Sequence, residues 1–418
     1  MRKVLMSSAT TLILAAGLLK FTSVPVVGQR AKPDAGAAKP ATVAATVKTP
    51  WGDPDLQGIW MPEFMTPFER PDWVGNREFF TDEERKALDA RRAKRLGRDF
   101  RATKGTVADV SGAYSEVFRT RKRTGPRTSL IVDPPNGRMP AVTPEVQKRR
   151  QALRDYELML LQASQACKDG ENVCRGGKYA PPSPRFHDRA PVYPVNGVNR
   201  SDNPEDHGLI VRCLSGYIPA GGNGPGFPGA DGSYNEVRRI VQTPGGISMN
   251  YDVGQGQGFQ RTIVMNGSPH LPPHVRQWWG DSRGRWEGNT LVIDITNFNF
   301  KVDYMGSRGN MHVVERYTRT GPDTIEYVVT LEDPMTWTRP WTVKDILHKQ
   351  SDKENRIYAE PRCHEGNYGL PGLLRGARME EKAYAEGRGP NPAEICQNGC
   401  NGVGDDAEQV VGDFAPLK

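Results

Sequence analysis

Residues suited to chemistry gather in three short segments: "NGSPHLPPHVRQWWGDSRGRWEGNTLVIDITNF" (266–298), "MHVVERYTRT" (311–320) and "PRCHEGNYG" (361–369). The first holds His270, His274, Arg276, Trp278, Trp279, Asp281, Arg283 and Arg285. Adjacent tryptophans beside arginine and aspartate suit a sugar or an aromatic acid, because a ring stacks on them while charged groups orient the ligand. The same residues also suit a structural corner, in which Arg283 or Arg285 pairs with Asp281 and the tryptophans cap a core. In the third segment His364 and Glu365 offer a general base with an acid or an orienting carboxylate. Strand neighbours point to opposite faces, so the two serve one site only if the chain turns there, which Gly366 and Gly369 permit. Asn367 and Tyr368 follow as ligand contacts.

On a strand, His312, Val314, Arg316 and Thr318 share one face, and Val313, Glu315 and Tyr317 share the other. If the first face points into a barrel, His312 and Arg316 line a polar pocket with Thr336, Thr338 and Arg339 of "TWTRPWT". If it points outward, all of them are surface residues. Even spacing also places Trp286, Thr290, Val292 and Asp294 on one face of "WEGNTLVID", opposite Leu291 and Ile293. The catalytic expectation is His364, Glu365, His312 and Asp281. The expected ligand contacts are Arg276, Trp278, Trp279, Arg283, Arg316, Asn367 and Tyr368.

Other chemistries score poorly. No GxSxG elbow, HExxH helix or dinucleotide fingerprint occurs, and the glycine-rich loop "PAGGNGPGFPGADGSYN" lacks the lysine and strand-to-helix context of a phosphate cradle. No cofactor is expected. A metal held by His270, His274, His312 and His364 is the alternative, although "LPP" keeps the first pair from helical spacing.

The elements that must position these residues are mainly β. From about residue 209 the apolar period is 2 in "GLIVRCL", "NEVRRIVQTPGGISMNYDV", "RTIVMNG", "DTIEYVVTLED", "WTVKDILHKQ" and "NRIYAEPRC", with turns at Pro244-Gly245-Gly246, Glu287-Gly288-Asn289 and Gly321-Pro322-Asp323. Close strands without intervening helices predict an α+β, mainly β chain: an antiparallel, calycin-like β-barrel or curled sheet over 209–376. Residues 51–208 read as a helical, loop-rich extension packed on it. In that part Thr81 with Glu84 forms a capping box, and Thr143 with Pro144 opens a second helix.

The leader decides the expected compartment. Met1-Arg2-Lys3, the apolar run to Leu19, and Val26 and Gly28 before Gln29 read as a secretory signal peptide over 1–28. An Ala/Lys/Pro-rich linker spans 29–50, and a tail spans 377–418. A periplasmic or extracellular protein is expected, without membrane insertion, since no apolar run reaches the roughly 20 residues of a spanning helix. Six cysteines in an exported chain should pair, as Cys167–Cys174, Cys396–Cys400 and, left over, Cys213–Cys363. A formal net charge of +7, part of it in the leader, does not argue for nucleic acid.

The chain resembles a family of exported bacterial proteins with no assigned reaction. The resemblance is carried by "WGDPDLQGIW" (51–60), "TSLIVDPPNGRMP" (128–140), "RQWWGDSRGRWEGNTLVIDITNF" (276–298), "HVVERYTRTGPDTIEYVVTLEDPMTWTRPWT" (312–342) and "CHEGNYGL" (363–370). It spans nearly the whole mature chain and lends no reaction or catalytic set. The clustering of titratable and aromatic residues favours a secreted hydrolase or lyase acting on a sugar-derived or aromatic small molecule. A lipocalin-like barrel that binds such a ligand without turnover is the alternative.

Overall fold

The computed structural model describes residues 47–93, 103–104, 122–170, 174, 177–183, 201–207, 211–214, 216–218, 222–224, 237–252, 258–351 and 363–394. All lie in one compact unit, Val43–Lys418. The leader, most of the linker and the Cys396–Cys400 pair fall outside them.

The strands are β1 (Gly58–Pro62), β2 (Ile131–Asp133), β3 (Gly216–Ile218), β4 (Gly222–Gly224), β5 (Val237–Thr243), β6 (Gly246–Asp252), β7 (Gly258–Val264), β8 (Asp281–Glu287), β9 (Thr290–Thr296), β10 (His312–Gly321), β11 (Thr324–Glu332) and β12 (Trp341–Lys349). β3 and β4 form a separate small hairpin. The others run in the order β1-β5-β6-β7-β8-β9-β10-β11-β12, and β1 also pairs with β12. That second pairing, Trp60 opposite Lys349, closes a nine-stranded barrel and removes its free edges. β2 lies beside β12 as an extra strand.

Two expectations need correction. The barrel is not confined to 209–376, since β1, a stave fifty residues into the chain, supplies the closing ladder. Nor is it wholly antiparallel: β7 and β8 are parallel, with Ile263 opposite Ser282 and Val264 opposite Arg283. Parallel neighbours need a connection that returns along the barrel. That connection is the segment 265–280, which carries His270, Trp278 and Trp279. It ends in a tight approach at Gly280 (φ 70°), where a Cβ would stand 2.7 Å from both Ile295 Cγ2 and the Thr296 carbonyl.

Local signals hold elsewhere. Helix α1 (Asp82–Ala93) starts with the reciprocal Thr81/Glu84 bonds, at 2.8 and 3.2 Å. Helix α2 (Pro144–Gln162) starts at Thr143, whose hydroxyl accepts from the Val146 amide. A short helix, α3 (Gln165–Asp169), leads into the Cys167–Cys174 disulfide. At the C-terminal side, Cys363–Gly366 is a helical turn (α4), followed by α5 (Gly369–Ala385). No helix among the described residues is long and apolar enough to cross a membrane.

Alternation along each strand sends Ile240, Met249, Ile263, Leu291, Ile293, Val313, Tyr327, Val329, Val343 and Leu347 into one core with Trp60 and Leu56. Trp60 is fully buried on the closing stave, and its indole donates to the Leu56 carbonyl at 2.8 Å. Trp60→Ala should therefore cost about 3–5 kcal/mol. Urea denaturation followed by tryptophan fluorescence checks it, and an unchanged midpoint would mean that β1 does not hold the barrel shut.

Candidate functional site

The sheet has two chemically distinct faces. Outward, side chains of four neighbouring strands form a polar row together with loop residue His270. Arg283 stands opposite Asp294, and His312 opposite Glu332. His270 reaches down from the 265–280 segment with Nδ1 2.8 Å from Asp281 Oδ2 and Nε2 3.0 Å from Asp294 Oδ1. His312 Nε2 lies 3.3 Å from the same Asp294 oxygen, and its Nδ1 is 3.7 Å from Glu332 Oε2. A ring with a carboxylate at each nitrogen donates to both only when doubly protonated.

Asp281 anchors this row. It accepts from the Leu271 amide, and from Arg283 through Nε and Nη2, each at 3.0 Å. Burial alone would raise its carboxyl. The bonds from Leu271, Arg283 and His270 outweigh that and hold it below the usual aspartate range. Two residues of the expected catalytic set, Asp281 and His312, thus belong to one row, with Arg283 as predicted contact. The linking residues are His270, expected only as a metal ligand, and Asp294.

Inward, the structure reverses one option left open by strand period. Val313, Glu315 and Tyr317 face the core at 0% exposure, and His312 and Arg316 face out. Arg316 pairs with surface Glu287, and Arg339 with Asp133, so neither lines an interior pocket. The interior instead holds Arg238 (2% exposed), Arg261 (3%), Glu315, Tyr251, Tyr317 and Tyr327. Arg261 Nη2 donates to Glu315 Oε2 at 2.5 Å and to the Tyr251 hydroxyl at 2.9 Å. Tyr327 and Tyr317 donate to Glu315 Oε1 at 2.6 and 3.2 Å. Arg238 Nη1 donates to the Tyr317 hydroxyl at 3.1 Å and its guanidinium lies 4.8 Å from the Tyr327 ring centre.

Burial pushes the Tyr251, Tyr317 and Tyr327 hydroxyls upward, and Glu315 adds to it, so they remain protonated donors. Burial works against the charges of Arg238 and Arg261. The surrounding tyrosine oxygens and Glu315 more than offset it, and both stay guanidinium. Three of their nitrogens, Arg238 Nε, Arg261 Nε and Arg261 Nη1, are buried without an acceptor among the described residues. The readable signal for this cluster was charge in phase with apolar positions: Arg238 alternates with Ile240, and Glu315 sits between Val313 and Tyr317.

The remaining expected residues divide. Trp279 (9% exposed) stacks on Tyr251 at 5.5 Å and so borders the interior cluster. Trp278 packs against the core, and Trp286 does so as well. Trp286 lies opposite Leu291, on the inner side, so the β8–β9 turn separates it from the face of Thr290 and Asp294. Arg276 donates to the Gly309 and Phe298 carbonyls, at 2.5 and 3.4 Å, which makes it a loop fastener. His274 is exposed, and among the described residues no group of three His, Cys, Asp or Glu is arranged to hold a metal ion. His364 and Glu365 are exposed on α4, and Tyr368 is 82% exposed. The Asn367 amide donates to the Val211 carbonyl at 2.7 Å, tying this segment to 211–213 and not to the polar row. Cys213 is disulfide-bonded, and the Cys363 side chain lies outside the described residues.

No protein-family model matches the chain, and no curated protein does. Among solved structures the chain is similar to a point mutant of the fluorescent protein UnaG, at 13% identity over 28% of this chain and 72% of that one, with a TM-score of 0.18. A likeness of that size carries no argument about the ligand, and the barrel stands on its own hydrogen-bond ladder.

Because the Asp281 carboxyl is held low in the folded state, it contributes stability above its ordinary unfolded value, and that contribution fades as pH falls through the folded value. Asp281→Asn should be clearly less stable than wild type at pH 6, with the gap narrowing below about pH 3.9. Urea denaturation at pH 6 and pH 3 measures it. A gap that does not change with pH would contradict the assignment.

Proposed function

We propose that this protein is an exported β-barrel that binds a small molecule inside the barrel without turning it over, anchored at the Arg238–Arg261–Glu315–tyrosine cluster. The observation that carries this reading is the set of three guanidinium nitrogens buried without acceptors. A buried donor left unpaired is destabilising by about 1–3 kcal/mol and a charged one by more; single orphan nitrogens occur on Arg276 and Arg308 as well, but here three gather in one interior cluster. Replacing such a group by apolar side chains is often neutral or favourable, which makes its presence a pointer to binding. Stacked Tyr251 and Trp279 beside the guanidiniums add the flat apolar surface that an amphipathic or aromatic ligand needs. The Cys167–Cys174 disulfide is in keeping with export.

Met249 provides the readout, because its sulfur lies 3.6 Å from Arg261 Nη2 and 3.5 Å from the Tyr251 hydroxyl. Protein with isotope-labelled methionine methyls should show a saturable shift of the Met249 signal with the environment-sensitive dye 1-anilinonaphthalene-8-sulfonate. The exposed Met335 and Met379 should not respond. Dye that moves only the exposed methionines, or none, would remove the interior-binding reading.

One observation favours a second reading, a hydrolase or lyase working at the outward row. His270 and His312 share Asp294 and are each partly exposed, which supplies a base with an orienting carboxylate. Turnover of an aryl ester or aryl glycoside by wild-type protein, lost by at least about a hundredfold in His312→Gln, would support it. Equal rates in the two proteins would exclude it.

A further inference from the structure

We infer that the group anchored in the barrel is a carboxylate, held between Arg238 and Arg261 while Glu315 keeps its present partners. This inference rests on the interior-binding reading and specifies the ligand class.

Glu315 is already served. One oxygen accepts from two tyrosines and the other from Arg261. It therefore has no need of the remaining donors, and they point to a second acceptor group. Those donors are the Nε of each guanidinium and both hydrogens of Arg261 Nη1, four N–H bonds in all by guanidinium chemistry. A carboxylate offers about four acceptor sites and a negative charge, so it can take separate charge-assisted bonds from both guanidiniums while Arg261 Nη2 stays on Glu315 and Tyr251. A hydroxyl or ether brings at most two lone pairs and no charge. Both guanidiniums lie 5.6 Å from the Tyr251 ring centre, which puts their open donors in one neighbourhood beside that ring.

Asp345 also faces inward from β12 and accepts from the Ile346 amide at 2.8 Å, with further contacts of its own. With Glu315 it puts two carboxylates inside, and a dianionic phosphate or phosphonate would meet both. A monoanion adds the least repulsion per acceptor. Glu315 then acts as a built-in counter-anion that tempers the affinity of the incoming one.

Matched ligands decide it. Octanoate, octanol and octylphosphonate are titrated against wild type and against Arg261→Met, Arg238→Met, Arg261→Lys and Glu315→Gln, with the Met249 methyl shift as readout. Octanoate should bind wild type at least about tenfold more tightly than octanol, the scale of a charge-assisted bond. Octylphosphonate should be the weaker of the two anions. Each arginine-to-methionine change should abolish the preference for octanoate over octanol, read as the ratio of the two affinities in the same variant. Arg261→Lys keeps the charge, loses the Nε and Nη1 donors, and should lose most of the preference, which covers a methionine variant that fails to fold. Glu315→Gln should raise the ratio of octanoate to octanol affinity several-fold.

Equal binding of octanoate and octanol, a preference that survives the arginine changes, or tighter binding of octylphosphonate would each overturn the carboxylate and leave interior binding standing. If none of the three moves Met249, the orphan donors hold internal water only, and both inferences fall.

Discussion

A guanidinium and a carboxylate 2.5 Å apart in the middle of a β-barrel set the terms for everything around them. Taking either charge out of water alone would cost several kcal/mol, and their attraction repays this only with good geometry and further hydrogen bonds. Tyr251, Tyr317 and Tyr327 supply those bonds, and the aromatic faces of the same residues cradle the second guanidinium. The cluster draws on β5, β6, β7, β10 and β11, so the pair is tolerable only inside a closed barrel. A slip of one residue in any of these strands would turn its contribution out to solvent.

Closure follows from the same need. β12 and β5 do not pair with each other, and β1 fills the gap between them with three registered partners on each side. Its Trp60 plugs the core, and Leu56, just ahead of the strand, is fixed by its amide to Gln242 Oε1 at 2.5 Å. On the opposite side the parallel β7–β8 junction lets the chain cross the outside of the barrel. That crossing gives the outward row its His270 and the inward cluster its Trp279. Two adjacent polypeptide features thus serve opposite faces of one sheet.

The faces differ in what they can tolerate. Along the outward row, His270, Asp294, His312 and Glu332 are partly exposed, so water can complete their bonding, while buried Asp281 is satisfied by protein donors. Inside, every polar atom must find a protein, ligand or buried-water partner. The interior cluster is therefore the more informative of the two: its unmet donors are constrained, while those of the row are not.

Local chemistry was readable from the chain alone. Thr81 with Glu84, Thr143 with Pro144, the short Cys167–Cys174 loop, and the turns at Gly288 and Gly321 depend on contacts between near neighbours, and each appears where residue types place it. The period of 2 from about residue 209 likewise announced close strands in a barrel or a curled sheet, although 211–214 form a turn and the barrel strands of that part begin at Val237. Period alone sorts residues into two faces and cannot say which is inside, so His312 and Arg316 were as eligible for the interior as Glu315. Only tertiary structure decided that question, because the answer lies in pairings far apart in sequence. Arg261 meets Glu315 across 54 residues, Arg238 meets Tyr317 across 79, and β1 meets β12 nearly three hundred residues later. Sequence settles what each short stretch prefers, whereas burial of a charge is settled by partners that only the closed barrel brings within reach.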